Sequence, residues 1–478
     1  MGAGGFLTLL NGSPNDWTLG SQHSYQMEKW EWPTVTAGTA ARVYVEFSDK
    51  SSGLLGGLFG GGKKGDDGGE AYYNIAGTPN TFKVSASKPD DGLLTITLDN
   101  SATKTSPQGS VIDLGFRHDG AVNWMMSTDM AGDLWSNSGE TIDWMHQSMG
   151  SLTNRTLKQI TMPGSHDAGM SQYNPGTIGA NFANSQAQYL SVGDQLLMGS
   201  RYFDIRPVLS NGKWVAGHYS EVEKLGWVGG NGQSLVEMIQ QINDFTAKYQ
   251  ELVIVNISHT LDTDNDFKDL NQDQWNQLFE ALKGLNNRFT VTAPGTEDFS
   301  NKKLGDFITD RASVFVLNQL PGGISLGAYA DQGFFNQDHF PLFDSYSESD
   351  DAGKMKADQI QKLKDNRNLV ADAALRKDKF HIFSWTLTQG VEDVLNPDKA
   401  IMNLGVSVFD DLVFDAFNAF TPESFPNVLY VDSLGIRDKP VNIPFDKVSN
   451  VGKTADIAAL AMAVNNAKAG RNAYITGV

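Results

Sequence analysis

Two histidines, an arginine and several aspartates sit where short apolar runs break off into polar side chains. Ile160-Thr161-Met162-Pro163-Gly164-Ser165 runs into His166 and Asp167. Arg201-Tyr202-Phe203-Asp204-Ile205 runs into Arg206, and Ala216-Gly217 into His218. A buried strand reads this way when its carboxyl end opens into a site. The combination suits acid/base chemistry on a phosphate ester: one imidazole takes a proton, the other returns one, and a guanidinium forks onto the phosphate oxygens.

Such groups must be delivered by separate elements, and from about residue 151 strands and helices alternate, as in a parallel barrel or a wound sheet. Strands are predicted at Leu252–Ile257, ending at Ser258 and His259, at Val314–Leu317, at Phe380–Trp385 and at Val428–Val431, ending at Asp432. Between them, Ser234 and Glu237 form a capping box that opens a helix with Leu235, Ile239, Ile242 and Phe245 on one side. A second helix runs through Trp275, Leu278, Phe279 and Leu282, and residues Thr454 to Ala469 suit a closing helix.

Taken in order, Pro163-Gly164-Ser165-His166-Asp167, Arg201-Tyr202-Phe203-Asp204-Ile205-Arg206 and Gly217-His218 resemble the X-type catalytic domain of phosphatidylinositol-specific phospholipases C. The resemblance runs from about Leu152 to about Asp438. It implies an α/β fold, a distorted TIM-like barrel with its chemistry at the strand carboxyl ends. It also implies His166 as the base that activates an inositol hydroxyl, and His218 as the acid that protonates the departing lipid oxygen. Arg206 would neutralise the phosphate, Asp432 would orient the base, and Asp167 and Asp204 would hold Arg206 and His218. Calcium-dependent relatives carry further carboxylates or an asparagine where this chain has Asp167, Arg206 and Ser258; the resemblance is therefore to the metal-independent bacterial branch, and no cofactor is expected. For the substrate it implies Asp344 and Tyr346 at the inositol ring; Ser258 and His259, at a strand end, and Trp385 with Thr386 are further pocket candidates, with a core position the equal alternative for Trp385. The basic groups that bacterial members carry near Ser258 and near Asn318 are absent, which leaves room for another phosphodiester head group.

The first third of the chain is β-patterned. Ala41–Phe47, Thr81–Ala86 and Leu94–Leu98 alternate between apolar and polar residues with Gly, Asn, Asp and Pro between them, favouring an antiparallel sandwich. The expected order is a sandwich over residues 1–125, a Met- and Trp-rich connector over 126–150 that packs between domains, the barrel over 151–440 and a helical extension over 441–478. Within the sandwich, the glycine-rich insert around Leu54, Leu55, Leu58 and Phe59 reads first as a flexible hairpin tip. A sharper reading makes it an apolar finger that contacts a membrane.

Composition narrows the partners. The 478 residues carry a net charge of −19, which repels nucleic-acid phosphates, and 40% hydrophobic residues mark a globular chain. There is no cysteine, hence no disulfide. The opening Met1–Leu10 lacks a basic segment and its apolar run is short for a secretory leader; no stretch reaches bilayer-spanning length, and the compartment stays open between secreted and cytoplasmic with peripheral membrane contact. A monomer is expected. His23, His118 and His146 read as local hydrogen-bonding groups, and His259, His339 and His381 as satisfied structural ones, with His259 the exception because it ends a strand. Two functions follow: a phosphodiesterase with a sandwich that targets it to lipid, or a lipid- or glycan-binding protein whose barrel turns over poorly.

Overall fold

A computed structural model describes residues 3–48, 68–88, 92–223, 225–370, 372–390, 396, 399–437 and 452–469. Leu54, Leu55, Leu58 and Phe59 lie outside the described residues. The chain divides into two compact units.

One unit comprises Met1–Glu140 with Phe409–Pro422 and Met462–Arg471. It contains two five-stranded sheets, one ordered Leu134–Ser136, Ala121–Thr128, Ala3–Gly12, Ala40–Phe47, Met27–Lys29, the other Trp17–Tyr25, Gly68–Ile75, Thr81–Ser87, Leu93–Thr97, Val111–Gly115. Alternate residues of both sheets feed one core: Val43, Val45 and Phe47 from the first, Phe82, Val84, Leu94 and Ile96 from the second. Two expectations change here. Phe6–Gly12 pairs parallel with Ala121–Ser127, a match between segments far apart in the chain that local alternation cannot reveal. Met126, assigned to the connector, is buried in that same strand beside Trp124 and Met125, so the strand runs on to Thr128.

The other unit, Thr141–Val408 with Glu423–Ala461, holds an eight-stranded, all-parallel sheet. Its strands, labelled in chain order, are β1 Met162–Ser165, β2 Tyr202–Ile205, β3 Leu252–Ile257, β4 Ser313–Asn318, β5 Phe334–Asn336, β6 Leu342–Phe343, β7 Phe380–Trp385 and β8 Val428–Val431. Each pairs with its neighbour in sequence, and β8 returns to pair with β1. Only β5 and β6 are unbonded to each other among the described residues, so the sheet curls into a barrel with one open seam.

Local sequence explains the path. β3 and β4 are continuous apolar runs, buried throughout, as strands covered on both faces must be. The helix Leu235–Thr246 starts where the Ser234 hydroxyl accepts the Glu237 amide at 3.2 Å, and buries Leu235, Ile239, Ile242 and Phe245. Helix Gln272–Leu282 buries Trp275, Leu278, Phe279 and Leu282, and the closing helix spans Asp456–Ala467. Gly164 lets β1 approach its neighbours: a Cβ there would stand 2.2 Å from Val428 Cγ1. No helix among the described residues is long and apolar enough to cross a membrane.

At the foot of the barrel, Arg201 and Glu251 enter β2 and β3 as a fully buried ion pair at 2.7 Å. Arg201 also donates to the carbonyls of Leu196, Ser200 and Ile142, and Glu251 accepts the amides of Met145 and His146. Removing one partner leaves a buried charge uncompensated. Arg201→Met is expected to destabilise the protein by about 3–5 kcal/mol, read as a lowered urea midpoint, and Arg201→Met with Glu251→Leu to recover part of that loss. A single variant as stable as the parent would refute the staple.

Candidate active site

All but one of the candidate acids, bases and anion binders sit at or just beyond a barrel strand's carboxyl end. His166 and Asp167 follow β1, Asp204 lies in β2 with Arg206 after it, Ser258 and His259 follow β3, and Asp432 follows β8. His218 arrives differently, on a long antiparallel hairpin of Lys213–Val222 and Gly226–Ser234. A register shift between Val215 and Gly217 bulges that hairpin, and the Gly217 amide donates to the Arg206 carbonyl at 2.9 Å. The bulge re-aims one strand, which brings His218 to the barrel mouth.

Three strand exits turn through the left-handed region on residues with side chains: Asp167 (φ 43°), His259 (φ 46°) and Ser433 (φ 51°). Such conformations persist only where surroundings enforce them. At Asp167 the enforcement is visible, because its amide donates to Asp204 Oδ2 at 3.2 Å and the Ala168 amide to the Asp204 carbonyl at 2.8 Å.

Both imidazoles are held by carboxylates. His166 Nδ1 lies 2.6 Å from Asp432 Oδ1, and His218 Nδ1 lies 2.6 Å from Asp167 Oδ2. An ionised carboxylate only accepts, so Nδ1 carries the proton in each ring and Nε2 is left to gain or lose one. Burial opposes charge on His166, but the Asp432 carboxylate outweighs it and the ring is raised above its ordinary value. Asp167 Oδ1 and Asp432 Oδ2 are buried without a hydrogen-bond partner.

Arg206 is anchored by its Nε to Asp204 Oδ2 at 2.9 Å, with Nη1 3.9 Å from Asp167 Oδ2 and Nη2 donating to Tyr346 Oη at 3.0 Å. Asp204 further accepts from Tyr430 Oη at 2.6 Å and from Ser258 Oγ. Burial disfavours its charge, yet Arg206, followed by His259 and His166, holds the carboxyl well below the usual carboxylate range. The same ion pair raises Arg206 against the burial that opposes it.

A cavity of about 370 Å³ opens over this cluster and is lined by His166, Arg206, His218 and Tyr346 together. Val222, Val228, Leu387 and Ile401 give it apolar wall, and Glu221, Glu223 and Glu348 add carboxylates. Asp167, Asp204 and Asp432 stand behind the lining side chains and act through them. Other expected pocket residues fall elsewhere. Ser258 faces Asp204 and bonds His259 Nδ1 at 2.9 Å, away from the cavity wall. Asp344 is not part of the cavity lining but stands beside the cluster: it accepts from Ser384 Oγ at 3.4 Å, and burial together with the Asp204 carboxylate pushes its carboxyl up to about 6. Trp385 belongs to the core, its indole donating to the Val408 carbonyl at 2.8 Å, and the adjoining Thr386 takes the lining position. His381, expected to be a satisfied group, is buried with neither ring nitrogen bonded, its ring stacked on Phe343 at 4.8 Å.

Sequence reading missed Tyr430, which lies in β8 two residues before Asp432, just past the strand's end. It also missed Asn184, Ser220, Thr388 and Gln389, which line the cavity from loops and the hairpin and share no local signal.

No family model matches the chain, and no curated protein matches it. Among solved structures, a variant of the phosphatidylinositol-specific phospholipase C of Staphylococcus aureus is similar over 69% of this chain and 97% of its own, at 15% identity and a TM-score of 0.44. The phosphatidylinositol-specific phospholipase C of Listeria monocytogenes is similar over 62% and 94%, at 16% identity and a TM-score of 0.35.

Asp204 links the cluster to acid stability. Its folded value lies below the roughly 3.9 of an unfolded aspartate, so its contribution is present above about pH 4 and lost as pH falls towards the folded value. Asp204→Asn should lower stability at pH 7 and flatten the acid limb of a stability–pH curve. An acid limb as steep as the parent's would show that other carboxylates carry it.

Proposed function

We propose that the barrel unit is a phosphodiesterase of the phosphatidylinositol-specific phospholipase C type. The observation that supports this reading is a single cavity lined by two carboxylate-backed imidazoles and a buried guanidinium. His166 Nε2 takes the proton of a head-group hydroxyl next to the phosphoester. That oxygen attacks phosphorus, and the bond to the diacylglycerol oxygen breaks as His218 Nε2 supplies its proton. A cyclic phosphate and diacylglycerol leave, and the proton gained by His166 equals the one lost by His218.

Arg206 stabilises charge growing on the non-bridging oxygens. Asp204 fixes its direction before substrate arrives, so no reorganisation accompanies the reaction. Asp432 and Asp167 set the two tautomers and stabilise each imidazolium in turn. Near the reacting centre the cationic groups are Arg206 and the imidazoles, while Glu221, Glu223 and Glu348 line the same cavity. That balance suits an unphosphorylated ring and disfavours head groups bearing further phosphates. Tyr346 offers an aromatic wall for the ring. The β-rich unit has the role of bringing the barrel to a lipid surface.

The test is release of a cyclic inositol phosphate from mixed micelles in the presence of a chelator. His166→Ala and His218→Ala should each lower turnover by about 10²–10⁴-fold with folding unchanged. Loss of all turnover on adding chelator would contradict the proposed chemistry. An absence of product across a panel of phosphodiesters would favour a barrel that only binds.

A further inference from the structure

A second cluster of cations occupies the opposite end of the barrel. Lys158 and Thr156 precede β1, Arg367, Arg376 and Asp378 precede β7, and Asn301 precedes β4; together they line a cavity of about 190 Å³. Asn427, just before β8, ties these entries together by donating to the carbonyls of Lys158 and Ile160 and accepting the His381 amide. The cavity therefore lies at the strand amino ends, remote from the histidines at the carboxyl ends.

Arg367 is its unusual member. The side chain is fully buried, packed over the Phe425 ring at 5.2 Å, and donates to the Lys158 and Lys379 carbonyls. Its Nε–H has no acceptor, and no carboxylate lies within ion-pair distance of the guanidinium among the described residues. Asp378, its strand partner, is exposed and acts only from farther off. Burial pushes the Arg367 guanidinium down to about 9. Two carbonyls satisfy hydrogens but leave the net charge uncompensated, and a buried unpaired charge costs several kcal/mol. Arg376 reinforces it from the exposed side, while Lys158 is half-engaged by Asp298 at 2.9 Å. In a chain of net charge −19, a concavity with three cations and one exposed carboxylate is a local reversal of sign.

We propose that this cavity is a second, non-catalytic site that binds a phosphate-class dianion, either free phosphate or the monoester head group of a lipid. Arg367 provides the buried charge, Arg376 and Lys158 close over the oxyanion, and the Thr156 hydroxyl and Asn301 amide offer neutral donors. Binding here supplies the counter-charge that Arg367 lacks, so the ligand stabilises the folded barrel by mass action.

Titration calorimetry on the full chain carrying Arg206→Ala, which disables the catalytic cavity as an anion site, isolates this one. Inorganic phosphate should bind with a stoichiometry of one, raise the melting temperature, and bind at least tenfold more weakly once Arg376→Ala or Lys158→Ala is added. A second arm measures sedimentation with phosphatidylcholine vesicles with and without phosphatidic acid. Phosphate binding without vesicle binding assigns a free anion. Vesicle binding that depends on phosphatidic acid and on Arg376 assigns a lipid head group. If neither probe binds, or if Arg376→Ala and Lys158→Ala leave binding unchanged, the site is overturned, whether or not the protein turns over a phosphodiester.

Discussion

Four donors converge on one carboxylate. Asp204, buried in the last turn of β2, accepts from the Arg206 guanidinium, the Tyr430 hydroxyl, the Ser258 hydroxyl and the Asp167 amide. These come from the ends of β2, β8, β3 and β1, so four neighbouring strand ends are registered against a single charge. A carboxylate that gives up water must be repaid by several charge-assisted bonds, and here every repayment also fixes a piece of the site. The guanidinium is aimed, the left-handed turn that presents Asp167 is held, and Tyr430 is pinned beside His166 with ring centres 5.3 Å apart.

From that fixed point the two imidazole pairs follow. Asp167 receives its position from Asp204 and passes it to His218, while Asp432 reaches His166 from β8. The two pairs are alike in geometry but not in setting. His166 packs edge-on against both the Tyr346 and Tyr430 rings inside the barrel mouth, whereas His218 stands on the hairpin and its side chain is more open. Equal hydrogen bonds in unequal surroundings leave two imidazoles fixed in the same tautomer but differently enclosed.

The strands and the charged residues at their ends were legible in the sequence because both signals are local: an apolar run of four to six residues, then an abrupt change to ionisable groups. His166, Arg206 and His218 stand out on that ground alone. Tyr430 does not, since a tyrosine inside an apolar strand looks like core until its hydroxyl is seen to reach Asp204. The cavity wall was equally hidden, because Asn184, Glu221, Thr388 and Gln389 come from separate segments and meet only after the hairpin has folded over the barrel mouth. Between the two positions open for Trp385 and Thr386 the fold decides: Thr386 lines the cavity and Trp385 is core, as adjacent side chains in an extended segment point to opposite sides. The parallel pairing of Phe6–Gly12 with Ala121–Ser127 joins segments more than a hundred residues apart, and no alternation within either one encodes its partner.

The open seam shows how the barrel tolerates a missing ladder. Where β5 and β6 make no backbone bonds to each other, phenylalanine rings bridge the gap: Phe335 stacks on Phe315 at 4.4 Å, Phe315 meets Phe340 at 5.3 Å, and Phe340 meets Phe380 of β7 at 4.8 Å. Apolar packing of this kind is non-directional, so it closes the interior without fixing the height of β6, which has two residues and a ladder on one side only. Tyr346 lies just beyond β6 and needs a definite position to line the cavity. Directional bonds supply it: Lys362 Nζ donates to the Tyr346 carbonyl at 2.6 Å, Gln359 to the Ser345 carbonyl at 2.9 Å, and Arg206 to the Tyr346 hydroxyl. The guanidinium that lines the cavity thus also sets the side of the barrel that its own backbone leaves unbonded, and the Asp204 network reaches that side through the Tyr346 hydroxyl.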